Sequence, residues 1–204
     1  MKKLLILSPY DGFSHGFWRE GLADYLAGEF EIVECTLPPR FFSWRQRGNS
    51  LSFALKPALQ QPFDLIVATS MTDLSGLRGL NRHLSSIPAI VYFHENQFAY
   101  PGNNTVGLLE RQLTSIYTAL SADLVFFNSE FNRSTFLLGA EKLLGRMPDE
   151  VPAGIATSIK GKSSIVPVAL DIDPVKSYGL PGSRLKIVWN HRWEHDQGPG
   201  RLNA

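Results

Sequence analysis

The chain has 204 residues, 44% of them hydrophobic, and a formal net charge of +1. That length gives one sizeable core, or one domain plus a fragment, and the near-zero charge excludes bulk electrostatic attraction to nucleic acid or membrane, so any such surface is local. The single cysteine, Cys35, excludes an internal disulfide framework and a cysteine-rich zinc site, and its apolar surroundings mark it as a core residue.

Residues 1–7 imitate a secretory leader, but the apolar run is too short and a Ser-Pro-Tyr-Asp-Gly turn interrupts it. No stretch approaches the roughly 20 apolar residues that span a bilayer. The chain therefore reads as cytoplasmic, with no membrane partner. Residues 3–8 read as a first buried strand, bounded by Pro9 and Gly12. Asp11, Gly12 and Phe13 make a turn. Ser14 is placed to cap a helix whose apolar face is Phe17, Trp18, Leu22, Tyr25 and Leu26, with Gly28 closing it. A glycine-bearing turn ahead of a helix gathers N–H groups where anions bind. Gly12 and Gly16 do not fit the dinucleotide fingerprint, however, and no Walker lysine follows.

Residues 31–37 form a second strand, ended by Pro38 and Pro39. Residues 40–47 then interleave Arg40, Arg45 and Arg47 with Phe41, Phe42 and Trp44. Two readings stay open: Arg and aromatic contacts to exposed nucleotides, or a connecting amphipathic helix whose Phe and Trp face the core. Residues 64–68 are a third strand and 73–83 a helical segment. Residues 89–93 are a fourth strand, 105–121 a helix with apolar residues at helical spacing, and 123–127 a fifth strand. Ser129 can cap a helix over 130–144. Beyond Gly145 the pattern loosens into a loop over 147–153 and a sixth strand over 164–168. Residues 171–182, with two prolines and two glycines, resemble an interdomain linker. A further strand over 185–189 runs into a polar loop over 190–196. The alternation predicts an α/β fold: a Rossmann-like, doubly wound parallel sheet covered by helices on both faces. The expected division is a domain over 1–175, then a linker and the truncated opening of a second domain over 176–204.

Ligands bind beyond the carboxyl ends of strands in such sheets. Polar clusters stand there three times: Asp11 to His15, then His94, Glu95, Asn96 and Gln97, then Asn128, Ser129 and Glu130. The second is the densest, although His94 could also cap a helix or bond a loop carbonyl. A fourth cluster, from Asn190 to Asp196, would face them across a cleft. His191 and His195 stand four apart, but they follow a strand and lack the metalloprotease glutamate, so no metal is expected. No G-x-S-x-G motif supports a serine nucleophile.

Six segments taken in order carry a resemblance: residues 8–15 (SPYDGFSH), 18–20 (WRE), 44–48 (WRQRG), 92–101 (YFHENQFAYP), 127–132 (FNSEFN) and 189–196 (WNHRWEHD). Together they resemble the glycosyltransferase-like family that includes the tRNA-queuosine alpha-mannosyltransferases. The resemblance implies the N-terminal, acceptor-side half of a retaining glycosyltransferase of two-lobed GT-B type. It implies a sugar-nucleotide donor, GDP-mannose, a queuosine-bearing tRNA acceptor, and no metal or other cofactor. It casts His94 as the contact to the donor sugar or its phosphate, with Glu95 beside it as a second catalytic residue. Gly12, Ser14, His15, Asn96, Gln97, Asn128, Ser129, Asn190, Arg192 and Glu194 would line the donor side. It also adds weight to Arg40, Trp44, Arg45 and Arg47 as a tRNA contact. Arg192 matches the diphosphate-binding arginine of such enzymes, whereas the lysine expected five residues on is Gln197, a neutral amide that cannot balance the leaving charge as well. The chain alone is then expected to be inactive. The alternative is a non-catalytic Rossmann-like domain that binds RNA or a nucleotide.

Overall fold

The structure, a computed structural model, describes residues 1–99 and 106–170. Apolar runs too short for buried helices become strands, β1 (Lys2–Ser8), β2 (Phe30–Thr36), β3 (Leu65–Thr69), β4 (Ala89–Phe93) and β5 (Leu124–Phe127), and the more polar Ser-Ser-Ile segment adds β6 (Ser163–Ile165). Between them lie α1 (Phe13–Leu26), α2 (Phe42–Ala54), α3 (Leu74–Leu80), α4 (Leu108–Ser121), α5 (Glu130–Leu144) and α6 (Ile155–Gly161). All six strands are parallel, in the order β2-β1-β3-β4-β5-β6. The Rossmann-like α/β class is therefore the one observed.

Crossovers between parallel strands are right-handed. The chain steps one way from β1 to β2 and the other way from β2 onward, so α1 falls on one face and α2 to α6 on the other. The two cores follow this division. On the α1 face, Leu4, Ile6 and Val67 pack against Trp18, Leu22 and Leu26. On the opposite face, Leu5, Leu7, Ile66, Val91, Phe93 and Phe127 meet the other helices through side chains such as Phe53, Leu77, Ile116 and Phe136. Cys35 is buried there as a free thiol. Among the described residues no helix is long and apolar enough to cross a membrane.

Several local expectations are corrected. Gly12, not Ser14, is the N-cap of α1, and Ser14 is exposed. The inward stripe of α1 is His15, Trp18, Arg19, Leu22 and Leu26, at helical spacing, with His15 and Arg19 buried and the others half-buried. Phe17 and Tyr25 lie off it, 54% and 84% exposed. The helix closes at Ala27, one residue before Gly28. In α2 the reading with Phe and Trp turned to the core fails at this patch: Trp44 is exposed and Phe42, 38% exposed, sits edge-on against Tyr10, while Arg45, Gln46, Asn49 and Ser50 are buried. The cause is a hydrogen-bond net that ties α2 to α3. Asn49 Nδ2 donates to the carbonyls of Arg45, Gln46 and Met71, and its Oδ1 accepts the Asp73 N–H. Asp73 in turn accepts from Ser50 and caps α3 through the Gly76 N–H. The predicted helix over 73–83 breaks at Asn81 into α3 and a short 3₁₀ turn. The sixth strand is shorter than predicted and begins one residue earlier, and α6 precedes it unforeseen, anchored by fully buried Ile159. The predicted linker, the boundary at 175/176 and the strand over 185–189 extend beyond the described residues.

Candidate active site

β1, β3 and β4 end side by side where the strand order reverses, the usual ligand position of an open α/β sheet. Val67 points toward α1, and so, two residues on, does Thr69. Thr69 pairs laterally with Tyr92, which lies on the same face. His94 is two residues beyond Tyr92 and falls under the first turns of α1. Its ring centroid is 4.4 Å from that of His15, 4.7 Å from Trp18 and 4.7 Å from Tyr92. Trp18 stacks on Tyr92 at 4.6 Å and closes the box. Burial raises the Tyr92 phenol to about 12, and its hydroxyl donates to the Val166 carbonyl at 2.8 Å.

Both ring nitrogens of His94 are shut from solvent and have no hydrogen-bond partner among the described residues. Burial, and then the charge of His15, press its pKa from 6.5 down to about 3. At neutral pH the ring therefore offers one donor and one acceptor and no positive charge. His15 Nδ1 lies 2.9 Å from the Tyr10 carbonyl, which can only accept, so Nδ1 carries a proton. The hydroxyls of Ser8, Thr69, Ser70 and Thr72 are likewise buried without partners at the ends of β1 and β3. Unsatisfied buried polar groups are few in native proteins, and such a concentration at a strand-end rim is one that a polar ligand or ordered water satisfies.

The turn before α1 is pinned by charge. The buried Arg19 guanidinium reaches Asp11 at 3.0 Å, Glu34 at 2.7 Å and Glu20 at 3.0 Å. The Asp11 hydrogen bonds are the largest reason its pKa is raised further. With three carboxylates around it, Arg19 positions the turn and is not a cation on offer to a ligand.

The remaining sequence-predicted residues divide by what they hold. Gly12 caps α1 with its backbone, and Glu95 is half-buried on the loop beyond His94. Asn96 is a bracket. Its Nδ2 donates to the carbonyl and side chain of Asn132 and to Thr135, and its Oδ1 accepts from the N–H groups of Phe98 and Ala99. Gln97 is buried, and its carbonyl accepts from Gln112. Asn128 donates to the His94 carbonyl at 2.7 Å, and Ser129 caps α5 by accepting the Asn132 N–H. Arg40 is exposed and lies over the Phe41 ring. Trp44 is 53% exposed. Arg45 is buried, donating to the Pro38 carbonyl, and Arg47 is largely exposed, 3.3 Å from Asp73. Asn190, Arg192, Glu194 and the His191/His195 pair lie outside the described residues. Among the described residues no group of three or more His, Cys, Asp or Glu side chains is placed to hold a metal.

The sequence reading missed Trp18 and Tyr92 as walls of the His94 box and Arg19 as the anchor of the turn. Two signals were available. Tyr92 and His94 are two apart on one strand face, and His15, Trp18 and Arg19 share one helix stripe.

Comparison with known proteins places this geometry in a family. Residues 3–170 match the family described as tRNA-queuosine alpha-mannosyltransferase N-terminal. The chain is 33% identical to the tRNA-queuosine alpha-mannosyltransferase of Drosophila melanogaster over 214 aligned positions, 98% of this chain and 55% of that protein. It thus spans about half the length of that relative. No solved structure matches it. With the match running from the first strand to the segment after β6, the chain belongs to the tRNA-queuosine alpha-mannosyltransferase N-terminal family.

Proposed function

We propose that the chain is the acceptor-side lobe of a GT-B glycosyltransferase that moves mannose from GDP-mannose to queuosine in tRNA, with retention at the anomeric carbon, in the cytoplasm. The observation that carries this reading is the neutral, unpartnered His94 at the switch point of the sheet, in a chain of this family. A sugar needs hydrogen bonds without competing charge, and a neutral imidazole supplies a donor and an acceptor. The leaving diphosphate needs positive charge or N–H groups. Here the described residues give only the start of α1, which has neither a side-chain cap nor an acidic residue in its first turn. Arg19 is already neutralised. The cationic grip on the diphosphate therefore belongs to Arg192 and to the part of the Drosophila relative that this chain does not match. The 204-residue chain alone transfers no mannose on this reading. Asn96, Asn128 and Ser129 hold the loop that carries His94, and the exposed Arg40, Trp44 and Arg47 meet the tRNA.

Nucleoside mass spectrometry of tRNA from cells lacking the gene tests the activity. Mannosyl-queuosine is expected to vanish and unmodified queuosine to accumulate. An unchanged mannosyl-queuosine level would refute the reading.

A further inference from the structure

Away from His94, the first turns of α2 and α4 frame a narrow groove of about 240 Å³. That is room for roughly eight waters at their liquid volume, and so for one flat ring system with its edge groups. Gln46 lines it. This side chain is 4% exposed, and its Oε1 has no hydrogen-bond partner. A buried amide oxygen without a donor is costly, and this one belongs to a side chain that lines the groove. Around it stand Ser43, Arg47, Val106, Glu110, Arg111 and Thr114. At the same end, α4 begins at Gly107, in the left-handed region at φ +68°, with no side-chain cap and with Glu110 in its first turn. Beside Ser43 in the chain, Phe41, Phe42 and Trp44 are 71%, 38% and 53% exposed, with Arg40 over the Phe41 ring.

We propose that this groove takes one unstacked base of single-stranded RNA, with Gln46 on the base's hydrogen-bonding edge and Arg47 on the adjoining phosphate. The inference rests on the RNA-acceptor reading above and names where and how that RNA is read. Apolar walls with a polar floor suit a planar ring. An amide that can donate and accept reads a base edge at two points. Arg47 is largely exposed; one of its guanidinium nitrogens is 3.3 Å from Asp73, and its other donors are left for the adjoining phosphate. The exposed Phe41 and Trp44, on either side of Ser43 in the chain, give neighbouring bases a stacking platform. A duplex cannot enter, because its bases stay stacked and paired.

Binding of a labelled RNA hairpin, and of a fully paired duplex of equal length, to the whole 204-residue chain tests this. The hairpin loop is expected to bind more tightly than the duplex. Gln46→Leu keeps the side-chain volume and removes the stranded oxygen, so it is expected to fold while weakening hairpin binding about tenfold and leaving duplex binding unchanged. Arg47→Ala is expected to weaken both RNAs and to lower the salt slope by about one. Ser43→Trp, at the exposed mouth, fills the groove and is expected to abolish the loop preference even if Gln46→Leu fails to fold. A 4-thiouridine in the loop is expected to cross-link to residues 43–47 or 106–114. Hairpin binding with cross-links elsewhere, or with a loop preference untouched by Ser43→Trp, overturns the groove and leaves the RNA reading standing. Failure to bind either RNA overturns both.

Discussion

Replacing His94 by Phe keeps an aromatic ring in the box and removes its proton site. The unfolded chain binds that proton near pH 6.5 and the folded chain near pH 3. The unfolded state is thus protonated first, and stability falls as pH drops through 6.5, continuing to about pH 3. Between pH 7 and pH 5 the two values give a loss of about 2 kcal/mol, and by pH 3 about 4 kcal/mol. A domain with a total stability of about 5–15 kcal/mol feels this strongly. Urea unfolding of the chain and of His94→Phe at pH 7 and pH 5 reads the difference. The variant is expected to lose about 2 kcal/mol less across that interval, whatever its stability at pH 7. Trp18→Ala opens one wall and is expected to return the His94 ring toward its ordinary titration, followed by NMR at the ring Cε1 proton. Parallel pH dependences for wild type and His94→Phe, or a wild-type ring titrating near 6.5, would refute the closed, neutral box.

Other substitutions test the scaffold around it. A Cβ on Gly139 would stand 2.5 Å from the Cβ, Cγ and Cδ1 of Phe98, atoms too close to the backbone to swing aside. Gly139→Ala is therefore expected to lose about 1 kcal/mol net, overpacking outweighing the helix gain, whereas Gly79→Ala in α3 meets nothing within 4 Å and is expected to gain up to about 1 kcal/mol. Thermal melts compare the two, and a stabilised Gly139→Ala would count against the Phe98 contact. Asn49→Ala strands the Met71 carbonyl and the Asp73 N–H and is expected to cost about 3 kcal/mol in urea unfolding; a cost under about 1 kcal/mol would mean the net does not hold α2. Ser129→Ala removes the α5 cap and is expected to cost about 1 kcal/mol, and no measurable change would place that cap in water.

The strands were legible because buried parallel strands are short apolar runs, and β4 and β5 follow the sequence reading within a residue. The α5 bounds were legible too, since Ser129 is a strong cap directly before a helical pattern. What misled was giving aromatics the inward face: the sequence reading sets Phe17 and Tyr25 on the apolar face of α1, off which they lie, and one of the two readings of residues 40–47 turns Phe and Trp to the core. In α2 the fully buried positions include Asn49, whose amide does what a leucine cannot: it ties three carbonyls and an N–H. Composition does not reveal which polar residue has such partners in α3. The helix α6 was hidden because it is only seven residues long and follows a Pro- and Gly-bearing stretch. At the site, the strand-end histidine could be read from the switch between apolar and polar residues. Its seclusion was harder to read, because two of its walls, His15 and Trp18, come from a helix nearly eighty residues earlier in the chain.

The loop after β4 is fastened by Asn96 and Asn128 to the start of α5, whereas the lid over His94 belongs to α1 and is latched through Asp11 and Arg19. Floor and lid are thus moored to different helices on opposite sides of the sheet. A disturbance of α5 shifts the imidazole within its chamber, and a disturbance of the Asp11 latch uncovers it, with no shared bolt between the two. Loosening the latch by Asp11→Asn should therefore unstack Trp18 from Tyr92, visible as a change in tryptophan fluorescence, while amide exchange along α5 stays at its original rate.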